Sequence, residues 1–499
     1  MEARDLRIHF ESGGSGYLTC RFQGKYLHSK YNPEKEGERF ALSLQADFSP
    51  LCVLIIEPAL SYCAPFLRKR FPGAELYAIR FSDVFAESDG FWDGVFMLGG
   101  GTELSESLFG ALGEEKLISS VAFDWTSAKR AFPKESLLAW SEIKAAVLKA
   151  RDVIGTRAYF SKRWLKNSLI LSSRIRDPYI IGKGDSPVVI TASGPSLESS
   201  LPFLKKFRGA FFLIALSSSF LPLSARGIRP DLVMTSDGGY WAKRHFDFHR
   251  EKGVFFAVEA EGAVPKEIFE SEGIVPLCYE DGLERDFLEE IGCPYMISER
   301  NGTVAGTALA LAYNLTNANI YLCGFDQEPG RGFQHTQPNS LETAASQKDF
   351  RLRNAETRTI RSRYASERAL SIYRGWLTAN SPRFAGRVFR LSDNFQYEHS
   401  LGKIEDIDWP SFKEKEDGKS GKKPEFLRMR TEVPENLRNR KLMKTLVSLS
   451  ESARFRDEVF PMDSLLIKRE ISEDKKKEAL SKIHVKISDF LEDCGRILR

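Results

Sequence analysis

Short unbroken apolar runs alternate with stretches of helical spacing through the first part of the chain. The run 51–56, LCVLII, has the character of a strand covered on both faces. It ends at Glu57-Pro58. A helix-like stretch follows to about Arg70, and Pro72-Gly73 leads into a second run at 75–79. That pattern is one βαβ unit. A further strand and turn, 95–101 (VFMLGGG), precede Thr102-Glu103. From about Pro133 to Ile175 the period becomes helical, with Leu137, Leu138, Ile143, Val147 and Leu148 in step, and this stretch reads as a connection between domains.

A second series begins at Val188. Strands are expected at 187–191, 210–216, 231–235, 254–258, 274–277 and 320–323, most of them separated by helical stretches. Such alternation implies a parallel, doubly wound sheet. Beyond about Trp409 the strand signals stop, and residues 411–499 hold 22 Lys and Arg against 17 Asp and Glu. Leu480, Ile483, Ile487, Phe490 and Leu491 then fall at helical spacing, and the charged stretch 414–424 reads as a mobile linker. The expected class is α/β. An N-terminal α/β domain is expected at 1–132, a helical connection at 133–180, a Rossmann-like nucleotide-binding domain at 181–408 and a helical C-terminal domain at 409–499.

Composition narrows this only slightly. With 499 residues the chain is too long for one core. A net charge of +4, with no basic stripe interleaved with aromatics, gives no case for a nucleic-acid binder. The seven cysteines are dispersed with no C-x-x-C pair, so they read as reduced core thiols, and zinc spacing is lacking. The opening MEARDLRIHFESGG lacks the apolar stretch of a signal peptide, and the most apolar region, 209–216, is too short to span a bilayer. A cytoplasmic protein with no membrane span is expected.

Four stretches carry chemistry. In VVITASGPSLE a strand runs into Ser193-Gly194-Pro195-Ser196 and a helix opens behind it. Gly194 permits close backbone approach, Pro195 sets the helix entrance, and Ser196 can cap the first turn. N–H groups at that terminus suit a phosphate or carboxylate, although a capped turn without ligand has the same pattern. In RPDLVMTSDGG, Asp237 stands past a strand's carboxyl end, placed for a ribose hydroxyl, a base edge or a metal; a turn aspartate reads the same way. Asn301-Gly302-Thr303 opens an alanine-rich helix, and the next strand ends at Gly324-Phe325-Asp326. His335 follows in the loop GRGFQHTQPN, a place for a general base near neutral pH. His9, His28, His245, His249, His399 and His484 have no comparable setting. His245 and His249 lie one helical turn apart near Asp237 without an evident third metal ligand.

In this order the stretches resemble the motility accessory factors, the Maf-type proteins that glycosylate flagellin, over roughly residues 40 to 410. The central domain of that family is similar to bacterial sialyltransferases that use CMP-activated nonulosonic acids. The resemblance implies that Ser193, Gly194, Pro195 and Ser196, together with Asn301, Gly302 and Thr303, hold the nucleotide and its phosphate. Asp237 would lie near the ribose or base, Gly324 and Asp326 would shape the floor, and His335 would be the base. Ser193 stands where the sialyltransferases carry asparagine, and Ser217 opens a serine run where they place another. Gln327-Glu328-Pro329 replace the apolar and aromatic residues usual in the family after Asp326.

The implied reaction moves a nonulosonic acid from CMP to Ser or Thr of flagellin, with no metal required. The same resemblance reaches 6-hydroxymethylpterin diphosphokinases, in which Asp237 and Asp326 would hold Mg²⁺ and ATP phosphates. A non-catalytic flagellar accessory scaffold is the third reading. The helical C-terminal arm suits either docking to flagellin or self-association into a homo-oligomer.

Overall fold

The run expected at 51–56 is strand β1 (Cys52–Ile56), buried at every position. It belongs to a computed structural model that describes residues 8–499 apart from 15, 102, 247–252, 271–272, 331, 392–396 and 419–420. Thr102 and His249 therefore lie outside the described residues.

The chain gathers into two compact units, Met1–Tyr159 with Ala453–Asp489, and Phe160–Ser452 with Phe490–Arg499. In the first, β1 is joined by β2 (Glu75–Arg80), β3 (Gly94–Met97) and β4 (Ser120–Asp124) in a parallel sheet of order β3-β2-β1-β4. The helical stretch expected from Pro133 is a single helix, α1 (Pro133–Arg174), and the boundary between units falls inside it. Its buried residues in the first unit are Ser136, Ala139, Ile143, Ala146, Ala150 and Ile154, whereas Leu137 and Leu138 are exposed. Small side chains let the helix approach closely, and the two leucines stand off the packed face.

Among its described residues, the second unit holds a sheet of nine parallel strands. These are β5 (Val188–Thr191), β6 (Phe212–Leu216), β7 (Leu232–Thr235), β8 (Phe255–Glu259), β9 (Gly273–Cys278), β10 (Met296–Ile297), β11 (Ile320–Cys323), β12 (Val388–Leu391) and β13 (Glu405–Ile407). Their order is β10-β9-β8-β7-β6-β5-β11-β12-β13. The doubly wound α/β sheet expected here is present. Val188 to Thr191 and Leu232 to Thr235 are buried throughout, as strands covered on both faces must be.

Helices α2 (Leu197–Lys206), α3 (Ser217–Ala225), α4 (Val304–Leu315), α5 (Ser340–Ser346) and α6 (Ala355–Phe384) complete the part that concerns function. On α4, Gly306, Ala308, Ala310 and Ala312 are buried, so this helix lies close on β5, β6 and β7. The winding runs outward from β5 to β10 and then returns to place β11 on the other side of β5. The carboxyl ends of β5 and β11 therefore flank the switch point, where open α/β sheets bind ligands.

Two expectations for the C-terminal region differ from the structure. A strand, Glu425–Arg428, pairs antiparallel with Tyr179–Gly182, although no strand was expected beyond Trp409. The stretch expected as a mobile linker is tied down among its described residues. Glu416 is bonded by Asn319 Nδ2 at 2.6 Å and by the Tyr321 hydroxyl, and Lys422 O accepts Asp185 N–H at 2.9 Å.

Candidate functional site

Two glycines let the ends of β5 and β11 cross. Gly194 N–H donates to Gly324 O at 3.0 Å, continuing the ladder past both strands. A Cβ on Gly194 would stand 2.5 Å from Gly324 O, and one on Gly324, whose φ is +71°, would stand 2.3 Å from Ala192 O. No other residue fits either position.

That crossing brings Asp326 onto the start of α2. Its Oδ2 accepts Ser196 N–H at 2.9 Å, and the Ser196 hydroxyl donates to Oδ1. Leu197 N–H and Glu198 N–H turn back to Gly194 O and Pro195 O. The carboxylate thus occupies the place where the sequence puts a phosphate, and Ser196 gives its hydroxyl to Asp326 instead of capping the helix. Burial pushes the Asp326 acid up to about 6, against the opposing pull of the Ser196 hydrogen bonds.

The Tyr397 hydroxyl lies 3.2 Å from Ser196 Oγ and 2.9 Å from Leu391 O, and its ring centre lies 3.5 Å from the Arg390 guanidinium.

The loop after Asp326 is stitched to the same turn. Thr336 N–H donates to Ser193 O at 2.7 Å, and its hydroxyl donates to Gly194 O at 2.7 Å. This fixes the neighbouring His335, whose side chain is 37% exposed and whose Nδ1 lies 3.5 Å from Glu342 Oε1. Glu342 sits in the first turn of α5, where Asn339 Oδ1 caps Leu341 N–H and Glu342 N–H. Arg358 Nη1 grips its other oxygen at 2.9 Å and pairs with Asp349 through Nε and Nη2. Burial alone would raise the Glu342 acid, but His335 and Arg358 more than reverse this and hold it below its usual range. The outcome is an imidazole with one nitrogen against an anchored carboxylate, the arrangement that leaves the other nitrogen to act as a base.

Asp237 lies two residues past the end of β7, exposed, and its Oδ1 accepts Gly239 N–H at 2.7 Å, an Asx turn. The turn behind it, Tyr240–Phe246, packs against α3 and α5 and carries His245. Burial lowers the His245 imidazole to about 4, the charge of His335 adds to this, and Asp237 opposes it. The structure therefore gathers Asp237, His245 and His335 into one electrostatic neighbourhood. His245, which has no distinctive setting in the sequence, thus joins the site, as do Glu342, Arg358 and Thr336, which no local motif marks.

Asn301 and Thr303 build the entrance to α4. Thr303 Oγ1 accepts Gly306 N–H at 2.9 Å, and Asn301 Oδ1 accepts Thr303 N–H at 3.1 Å. Gly302, at φ +78°, faces open space on its Cβ side. Ser217 is buried at the start of α3, and its neighbour Ser219 donates to Thr191 O at 2.8 Å, which holds the ends of β5 and β6 together. Among the described residues no group of three or more His, Cys, Asp or Glu side chains is placed to hold a metal ion, and no helix is long and apolar enough to cross a membrane. All seven cysteines are buried and unpaired.

Residues 165–328 match the family model described as 6-hydroxymethylpterin diphosphokinase MptE-like. An uncharacterized protein of Treponema pallidum (strain Nichols) is 31% identical over 280 residues, which is 56% of this chain and 61% of that relative's length. The chain's match thus spans less than two thirds of the relative. A solved MAf glycosyltransferase from Magnetospirillum magneticum AMB-1 superposes with a TM-score of 0.56 at 15% identity, covering 100% of this chain and 92% of the other. That likeness is one of fold.

Proposed function

We propose that this Maf-type, MptE-like protein is a glycosyltransferase that moves a nonulosonic, sialic-like acid from a CMP-activated donor to Ser or Thr hydroxyls of flagellin. The observation that carries the reading is His335, backed by Glu342 and Arg358 and stitched by Thr336 to the crevice between β5 and β11.

In the proposed reaction His335 Nε2 takes the proton of the acceptor hydroxyl as its oxygen bonds to the anomeric carbon. The bond from that carbon to the phosphate oxygen breaks, and its electron pair leaves with CMP. Glu342 faces Nδ1 and steadies the imidazolium so formed. Hydrogen-bond donors at the α4 entrance suit the departing phosphate. The test is a binding screen of the purified protein against CMP, UDP, GDP and ATP, followed by transfer assays with His335→Ala. Preference for CMP together with loss of transfer supports the reading. Full transfer by the variant removes His335 as base.

The name of the matching family model favours a second reading, an ATP-dependent diphosphokinase with Mg²⁺ held by Asp237 and Asp326. Asp326 would first have to release Ser196, and Asp237 the Gly239 N–H. Magnesium-dependent ATP consumption is its test.

A further inference from the structure

We infer that the segment 348–374 is a docking surface for an acidic stretch of the acceptor polypeptide, one that feeds hydroxyls to His335. The inference rests on the transferase reading. The segment holds eight basic residues against three acidic ones, a larger excess than the whole chain's +4. Two of its basic groups are used internally: Arg358 on Glu342 and Asp349, and Arg374 on Gln327 O. Arg351, Arg353, Arg361 and Arg363 are exposed and make no ion pair among the described residues.

Apolar side chains stand among these arginines. Phe350 and Leu352 lie in the tight turn that enters α6, and Ile360 and Tyr364 follow one turn apart on the helix. Leu352 is 83% exposed and Tyr364 79%. A folded protein rarely leaves such groups clustered in water without a partner. The patch is continuous with the site, because the Arg358 guanidinium that anchors Glu342 also lies 5.9 Å from the centre of the Phe333 ring.

The charge selects the occupant. Four unpaired guanidiniums of one sign repel a second copy of the same face across a two-fold axis, whereas an acidic, apolar-bearing polypeptide complements both features. An anionic membrane would satisfy the charge as well. A surface beside a candidate hydroxyl-activating histidine favours the polypeptide.

The test uses the full chain, purified flagellin as the acceptor probe and phosphatidylglycerol vesicles as the lipid probe. Arg361→Glu with Arg363→Glu weakens flagellin binding at least tenfold, removes most of its dependence on salt and leaves CMP binding unchanged. The pair Arg361→Lys with Arg363→Lys, which keeps the charge, restores most of the binding. Unchanged flagellin affinity in the charge-reversed variant, or no flagellin binding by the natural sequence, overturns the docking surface. Vesicle binding that depends on these arginines in the absence of flagellin binding overturns it in favour of lipid. Loss of CMP selectivity in the natural sequence with docking intact would instead remove the donor reading.

Discussion

Replacing Asp326 with asparagine separates the two roles of its carboxylate at the start of α2. The side chain is 3% exposed and accepts both hydrogens that Ser196 offers. Its acid titrates at about 6, against about 3.9 in an unfolded chain. At about 1.36 kcal/mol per unit, the folded state favours the protonated acid by about 3 kcal/mol. A raised folded value means that the folded protein holds the proton more tightly. The contribution is fully present below about pH 4, declines as pH rises from about 4 to 6, and is gone above that. Between pH 4.5 and 7.5 the expected loss is about 2 kcal/mol.

Asp326→Asn does not titrate. Its carbonyl keeps the Ser196 N–H, and its amide can donate to Ser196 Oγ, which turns to accept. The gap between the two proteins should therefore shift toward the variant by about 2 kcal/mol between those pH values, about 3 °C in melting midpoint for a unit of this size. The difference between variants isolates this group from every other one that titrates. Thermal unfolding of both proteins at pH 4.5 and 7.5 reads it directly. A gap that stays constant refutes the buried acid at the helix start. Asp326→Ala strands the Ser196 N–H and O–H, so about 2–4 kcal/mol should be lost at pH 4.5 and about 2 kcal/mol less at pH 7.5, because alanine does not titrate either.

Transfer activity of His335→Ala should fall by about 10²–10⁴-fold with donor affinity retained, measured as kcat in the transfer assay. Glu342→Gln should lower kcat for transfer while CMP affinity holds, because it removes the carboxylate that faces His335 Nδ1 at 3.5 Å. Gly324→Ala combines a φ of +71° with a Cβ 2.3 Å from Ala192 O. It should cost at least about 3 kcal/mol in denaturant unfolding, from backbone conformation and overpacking together.

The strands of the central sheet were legible wherever burial on both faces leaves an unbroken apolar run, as at 188–191 and 320–323. β12 escaped because Arg390 interrupts its run, and that guanidinium is tolerable inside because Asp406 on β13 receives it at 2.6 Å and His399 O at 2.9 Å. β13 and β10 are too short to carry a period. Of the candidate site, the sequence could point to each strand end and to His335, since glycines and a loop histidine stand out locally. It could not show that Asp326 would fill the helix start 130 residues before it, or that Arg358 would anchor Glu342. Those pairings depend on the return of β11 beside β5, which is topology rather than local spacing.

That return also decides which helix start is free for a nucleotide phosphate. At α2 the first donors are taken: Ser196 N–H by Asp326, and Leu197 and Glu198 N–H by the preceding turn. At α4, Thr303 N–H goes to Asn301 and Gly306 N–H to Thr303 Oγ1, while Val304 and Ala305 N–H keep no partner among the described residues. The phosphate of the proposed donor is therefore expected at α4. Val304→Pro tests this with little effect on the fold, because proline suits the first helical position and Thr303, at φ −139° and ψ 144°, already has the extended backbone that must precede one. One charge-assisted hydrogen bond is worth about 1.5–3 kcal/mol, so CMP affinity should fall by about 10–100-fold while the melting temperature holds. Unchanged CMP binding in a stable Val304→Pro protein would place the phosphate elsewhere and return the question to α2.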